Sequence, residues 1–160
     1  MYWSELAWLV PIFPIIAFVV IGFLGNILFK KTERGGYLAI FMAAISCFIS
    51  LMIAYEILTG GYPGGLFKQS LLWISVPGFT FNVGVYIDTL AALMLIVVSF
   101  ISTLVVIYSI GYMHEEGEKK RRYYAEISLF IGVMLGLVLA SNYLQMFIFW
   151  ELVGLCSYLL

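Results

Sequence analysis

The sequence predicts an all-α integral membrane protein, a bundle of about five transmembrane helices with a small extracytoplasmic β-hairpin between spans 2 and 3. Three observations carry this. The 160-residue chain is 64% hydrophobic, 18% aromatic and 11% charged, with a mean hydropathy of +1.08. Soluble domains run about 45–50% apolar and about 25% charged, so these charges cannot cover a water-exposed surface. The apolar residues lie in uncharged runs long enough to cross a hydrocarbon core of about 30 Å. The basic residues are bunched between those runs, all but Lys68 in two short loops. The composition excludes a soluble enzyme, a disordered segment and a nucleic-acid binder, which needs a basic patch.

Span one is Leu6–Phe29, an uncharged run that rises about 36 Å as a helix. Pro11 and Pro14 fall near its start, where a missing N–H or a kink is tolerated. It is not a cleavable signal: Glu5 precedes it, no positive charge does, the run is too long, and no A-x-A site follows. Span two is Tyr37–Tyr55 and span three Thr89–Met113, both uncharged. In the loop at 56–88, the Gly60–Gly65 cluster breaks the chain. Leu71–Val76 and Phe79–Val83 then flank Pro77-Gly78, and two β-rich runs around a Pro-Gly turn read as a hairpin.

From Tyr123 to Leu160 only Glu126 and Glu151 are charged. One helix of that length would extend about 57 Å, nearly two bilayers, so a break is required. Ser141-Asn142 favours turns and caps. Span four is then Tyr123–Ala140 and span five Asn142–Leu160. Span five is still apolar at Leu160, and the sequence reads as truncated there. Lys30, Lys31 and Arg34 lie between spans one and two, and Lys119–Arg122 between three and four. The positive-inside rule puts both clusters in the cytoplasm, leaving the N-terminus, the 56–88 loop and the Ser141-Asn142 turn outside.

Few residues in this chain carry chemistry. Cys47 and Cys156 lack C-x-x-C spacing and read as small apolar residues within spans. His114 opens His-Glu-Glu-Gly-Glu, which has Glu118 where a zincin needs histidine. No span contains a histidine, which removes the usual haem ligand. No glycine-rich dinucleotide or phosphate loop occurs, so no nucleotide binding, cofactor or metal is expected. Gly132 and Gly136 form G-x-x-x-G, which lets helices approach closely within a bundle. Glu56 reads as a wetted carboxylate at the outer interface. Asp88 reads as the N-cap of span three. Glu126 reads as snorkelling or pairing with Arg122 one turn earlier.

Glu151 differs from these. It sits near the middle of span five, after Phe147-Ile148-Phe149-Trp150. Its two methylenes cannot carry it to an interface, and an ionisable group at that depth costs on the order of 3 kcal/mol, so it is the functional candidate. Its proton affinity depends on its partner, as a proton relay requires. No Lys or Arg lies within any predicted span, so a countercharge must come from further sequence or another subunit; the alternative is a protonated carboxyl hydrogen-bonded within the bundle.

The residues around Glu151 carry a resemblance. Trp150-Glu151-Leu152-Val153-Gly154-Leu155-Cys156-Ser157-Tyr158-Leu159-Leu160 resembles a signature of the large antiporter-like membrane subunit of respiratory complex I, the subunit L or chain 5 type, or a close archaeal or bacterial relative. Tyr86–Met94 and Tyr108–Met113 resemble the family's start and end of span three. Arg122-Tyr123-Tyr124-Ala125 and Ser128-Leu129-Phe130 resemble the start of span four, and Asn142–Met146 the approach to the signature. The resemblance implies the N-terminal portion of a longer subunit. It divides the chain into spans one and two with the outside loop (1–70), a hairpin and span-three region (71–122), and the start of the antiporter-like module (123–160).

The resemblance further implies a proton-translocating subunit with no redox centre, driven by quinone reduction elsewhere in an assembly of the NADH:quinone oxidoreductase type. The glutamate matching Glu151 then belongs to the proton path and pairs with a buried lysine two spans later. Implied partners are other membrane-arm subunits and the lipid bilayer of an energy-coupling membrane: bacterial or archaeal plasma, thylakoid or organellar inner. Alternatives are a subunit of a multi-subunit cation/proton antiporter, or a small structural membrane assembly protein.

Overall fold

The computed structural model describes residues 2–25, 33–60, 66–76, 79–113 and 119–160. His114, Lys30, Lys31 and the Pro77-Gly78 turn lie outside the described residues. Among the described residues, a 3-10 turn at Trp3–Leu6 is followed by five α-helices and one hairpin. They are α1 (Leu9–Phe23), α2 (Glu33–Leu58), β1 (Phe67–Val76), β2 (Phe79–Ile87), α3 (Thr89–Tyr112), α4 (Lys119–Val138) and α5 (Tyr143–Leu159). Among the described residues, three stretches are long and apolar enough to cross a membrane: Trp3–Phe23, Gly35–Leu58 and Thr89–Tyr112. Helix α5 is a shorter apolar helix, and α4 opens on its four basic residues.

Helix α1 ends at Phe23, and residues 26–29 of predicted span one lie outside the described residues. Helix α2 runs past Tyr55 through Glu56 to Leu58, because glutamate is a good helix former and charge alone does not end a helix. The required break falls where expected: α4 ends at Val138 and α5 begins after Asn142.

Prolines in α1 help to determine its packing. Pro11 and Pro14 bring no N–H to the carbonyls of Ala7 and Val10, four residues earlier. The Ala7 carbonyl instead accepts the Val10 N–H at 3.2 Å. The Val10 carbonyl accepts the hydroxyl of Ser46 on α2. A buried serine thus satisfies the group the proline exposes, and in doing so pins α1 to α2.

Helix α4 lies at the centre and touches all four other helices. Its buried residues therefore surround it, from Tyr124 and Ala125 through Ile131, Gly132, Leu135 and Gly136. Two glycines create the room. A Cβ on Gly132 would come within 2.7 Å of Ile15 Cγ1 and 3.0 Å of the Pro11 carbonyl on α1. A Cβ on Gly136 would come within 2.6 Å of the Phe149 ring on α5. The G-x-x-x-G pair packs α4 within the bundle, Gly132 against α1 and Gly136 against α5.

The hairpin is antiparallel, with Phe67 opposite Ile87 and Ser70 opposite Gly84, and an irregularity between Leu72 and Ile74. It is longer than the apolar runs implied, because Lys68, Gln69 and Ser70 extend β1 toward α2. It does not stand free. The Trp8 indole N–H donates to Gln69 at 3.0 Å, and the Tyr86 N–H donates to the Leu139 carbonyl at the α4–α5 corner at 3.0 Å.

Candidate functional site

Helix α5 carries the strongest candidate. Its start is built by Asn142, whose carboxamide oxygen accepts the Gln145 N–H at 2.9 Å as an N-cap does. Only Gln145 and Cys156 of this helix are buried. Phe147, Trp150 and Leu155 are exposed. Glu151 lies in the middle of the helix on the outward side, exposed like Trp150 beside it. Its carboxylate makes no hydrogen bond or ion pair with any described residue. The five-helix bundle thus presents an ionisable group at mid-helix on the face turned away from its own core.

The other acidic candidates have local partners. Asp88 caps α3: its carboxylate accepts the Ala91 N–H at 2.7 Å. Glu126 receives the Arg122 guanidinium at 2.5 Å, with Arg122 exposed and Glu126 nearly covered. The carboxylate beside it raises the Arg122 pKa above its already high ordinary value, so the arginine stays charged at any working pH. Glu56 departs from expectation. It is not wetted but 9% exposed, and it accepts the backbone N–H of Ser4 at 2.9 Å. That bond ties the 3-10 turn to the C-terminal end of α2, and the partner lies 52 positions away, out of reach of any local pattern.

Cys47 and Cys156 are both free and buried. Among the described residues no group of three or more His, Cys, Asp or Glu could hold a metal ion.

Sequence reasoning missed a polar cluster where the hairpin meets the α4–α5 corner. The Gln145 side-chain oxygen accepts the Gly84 N–H at 2.9 Å, and its NH2 donates to the Gly84 carbonyl at 2.9 Å. The Asn142 NH2 donates to the Asn82 carbonyl at 2.7 Å. Gly84 is required: a Cβ there would lie 2.6 Å from Ser141 Oγ and 2.7 Å from the Gln69 carbonyl. The legible signal was a glutamine three residues after the cap in an otherwise apolar run, since a buried amide needs partners.

Comparison with known proteins places these features in a family. Residues 73–124 match the family described as NADH-ubiquinone oxidoreductase (complex I), chain 5 N-terminus. The chain is 40% identical over 98% of its length to NAD(P)H-quinone oxidoreductase subunit 5, chloroplastic, of Mesostigma viride, of which it covers 24%. It is 45% identical over 98% of its length to F(420)H(2) dehydrogenase subunit L of Methanosarcina mazei, covering 22% of that protein. It is 40% identical over 98% of its length to NAD(P)H-quinone oxidoreductase chain 5 of Synechocystis sp., covering 23%. The chain thus spans roughly a quarter or less of the length of the curated relatives it matches. With a family match over β2 and α3 and this identity from end to end, the chain is similar along almost its whole length to chain 5 and subunit L proteins of complex I and its relatives.

Proposed function

We propose that this chain forms the first five helices of a proton-translocating membrane subunit in a complex I-like, quinone-reducing assembly, and that Glu151 lies on its proton path. The observation that carries the reading is identity of 40–45% over 98% of the chain to subunits named for quinone-linked or F(420)H(2)-linked dehydrogenases. The physical setting of Glu151 supports it. A carboxyl in the middle of an apolar helix, facing outward without a described partner, is costly in lipid unless another polar group covers it. A cation brought by a further helix or a neighbouring subunit would stabilise the charged form, and its withdrawal would release the carboxyl to take a proton. That alternation is what a proton relay needs, and no redox group is required on this chain.

On this reading the bundle spans a membrane with Lys119–Arg122 in the cytoplasm and the hairpin outside. Other membrane-arm subunits and lipid cover the exposed apolar faces of α3 and α5. The test is to tag the full-length gene product in its native host and purify it under mild detergent. Co-purification with a quinone-reducing dehydrogenase whose turnover moves protons in reconstituted vesicles is expected. Recovery of the subunit alone, with quinone reduction intact in a strain lacking it, contradicts the proposal.

A further inference from the structure

The polar cluster between the hairpin and α5 points to a second role in the same site. We propose that Gln145 is a positioning residue: by clamping the Gly84 peptide it ties the height and rotation of α5, and with them Glu151, to the hairpin. The inference rests on the reading of Glu151 as a proton-path carboxylate.

Only Gln145 and Cys156 of the α5 side chains are fully buried, and Phe149 packs against Gly136 of α4. Directional hydrogen bonds at the first turn of α5 add a restraint that apolar contacts do not supply. The Gln145 amide meets both the N–H and the carbonyl of Gly84 at 2.9 Å, so it pairs with β2 as one residue of an added strand would. Asn142 adds a bond to Asn82 at 2.7 Å, and the Tyr86 N–H bonds Leu139 at 3.0 Å. These contacts grip the corner and the first turn of α5 from one strand. Glu151 follows Gln145 by six positions, a rise of about 9 Å on a rigid helix. Gln145 faces inward and Glu151 outward, so a turn of the helix about the clamp swings the carboxyl sideways.

The clamp can be made switchable. In Gln145→Glu the protonated carboxyl offers the one donor and the one acceptor that the clamp uses, and keeps both bonds to Gly84. The ionised carboxylate only accepts, and it repels the Gly84 carbonyl. Lys68, which lines the adjoining cleft with Ser70, Asn82 and Asn142, is the charged side chain facing this corner among the described residues.

The experiment uses the full-length subunit in its complex, purified at low pH with Gln145→Glu and with Gln145→Leu. Two quantities are read against wild type at the same pH: protons moved per quinone reduced, and hydrogen exchange of the segment containing Gly84. For Gln145→Glu both match wild type at low pH. As pH rises, exchange speeds up about tenfold or more and proton movement falls with it, while quinone reduction continues. Gln145→Leu shows the fast exchange and the low stoichiometry at every pH. Fast exchange with full stoichiometry, or unchanged exchange in both variants, overturns the positioning role. Glu151→Gln run in parallel separates the two readings: full pumping in that variant fails the proton-path assignment, whereas the exchange data still report whether the clamp exists.

Discussion

Ser46 and Ser50 lie one turn apart on α2 and face the same helix interior, yet their hydroxyls stand differently. Ser46 donates to the Val10 carbonyl that Pro14 leaves open, whereas the Ser50 hydroxyl is buried with no protein partner. Removing a partner from a buried carbonyl costs about 1–3 kcal/mol, while removing an unbonded hydroxyl forfeits no bond. Ser46→Ala is therefore expected to lower the thermal stability of the detergent-solubilised protein, and Ser50→Ala to leave it unchanged or raise it. Equal losses in a thermal shift assay would refute this account of α1. The same scale shows what a sequence reveals. Asp88 with Ala91, Asn142 with Gln145, and Arg122 with Glu126 are spaced by three or four positions, and helix geometry alone brings such pairs together. The partners of Ser46, Glu56 and Gln145 lie 36, 52 and 61 positions away. No local rule reaches them, so Glu56 read as wetted and Gln145 went unnoticed.

At the scale of elements, the boundary between α4 and α5 was legible because one helix through 123–160 would be far too long for a bilayer, and because Asn142 can cap. The hairpin was legible from its apolar strands and Pro-Gly turn, but its polar beginning at Lys68–Ser70 was not, since those residues carry no alternation. The close packing of α4 rests on its glycines. Gly132→Ala puts a methyl against backbone on α1 as well as the Ile15 side chain, and overpacking of this kind costs about 1–3 kcal/mol. Reduced yield and a lower unfolding temperature are expected, and an unchanged melt would show that α1 and α4 are less tightly apposed. Loss of the cap in Asp88→Ala should cost about 1 kcal/mol, read in the same melt, with quinone reduction unaffected.

For the whole molecule, large apolar side chains are exposed on α1, α2 and β1 as well, and are densest on α3 and α5. Leu90, Phe100, Tyr108, Tyr143, Trp150 and Tyr158 are among the exposed side chains, a distribution that fits lipid and neighbouring helices, not water. On the proposed orientation, with Lys119–Arg122 inside, a cysteine introduced at Ser75 on the hairpin is labelled by an impermeant reagent from outside, and one at Lys119 only after the membrane is opened. The reverse pattern would overturn the orientation. The likeness to chain 5 proteins was legible because the Trp150–Leu160 segment resembles that family's signature residue by residue, which composition and periodicity alone do not reveal.

The claim that organises all three scales is that Glu151 carries protons. Its most direct test replaces one oxygen. Glu151→Gln keeps the shape and hydrogen-bonding reach of the side chain but cannot ionise, so the complex is expected to assemble and reduce quinone while moving fewer protons per quinone into reconstituted vesicles. A Glu151→Gln complex that pumps at the wild-type stoichiometry would contradict the account.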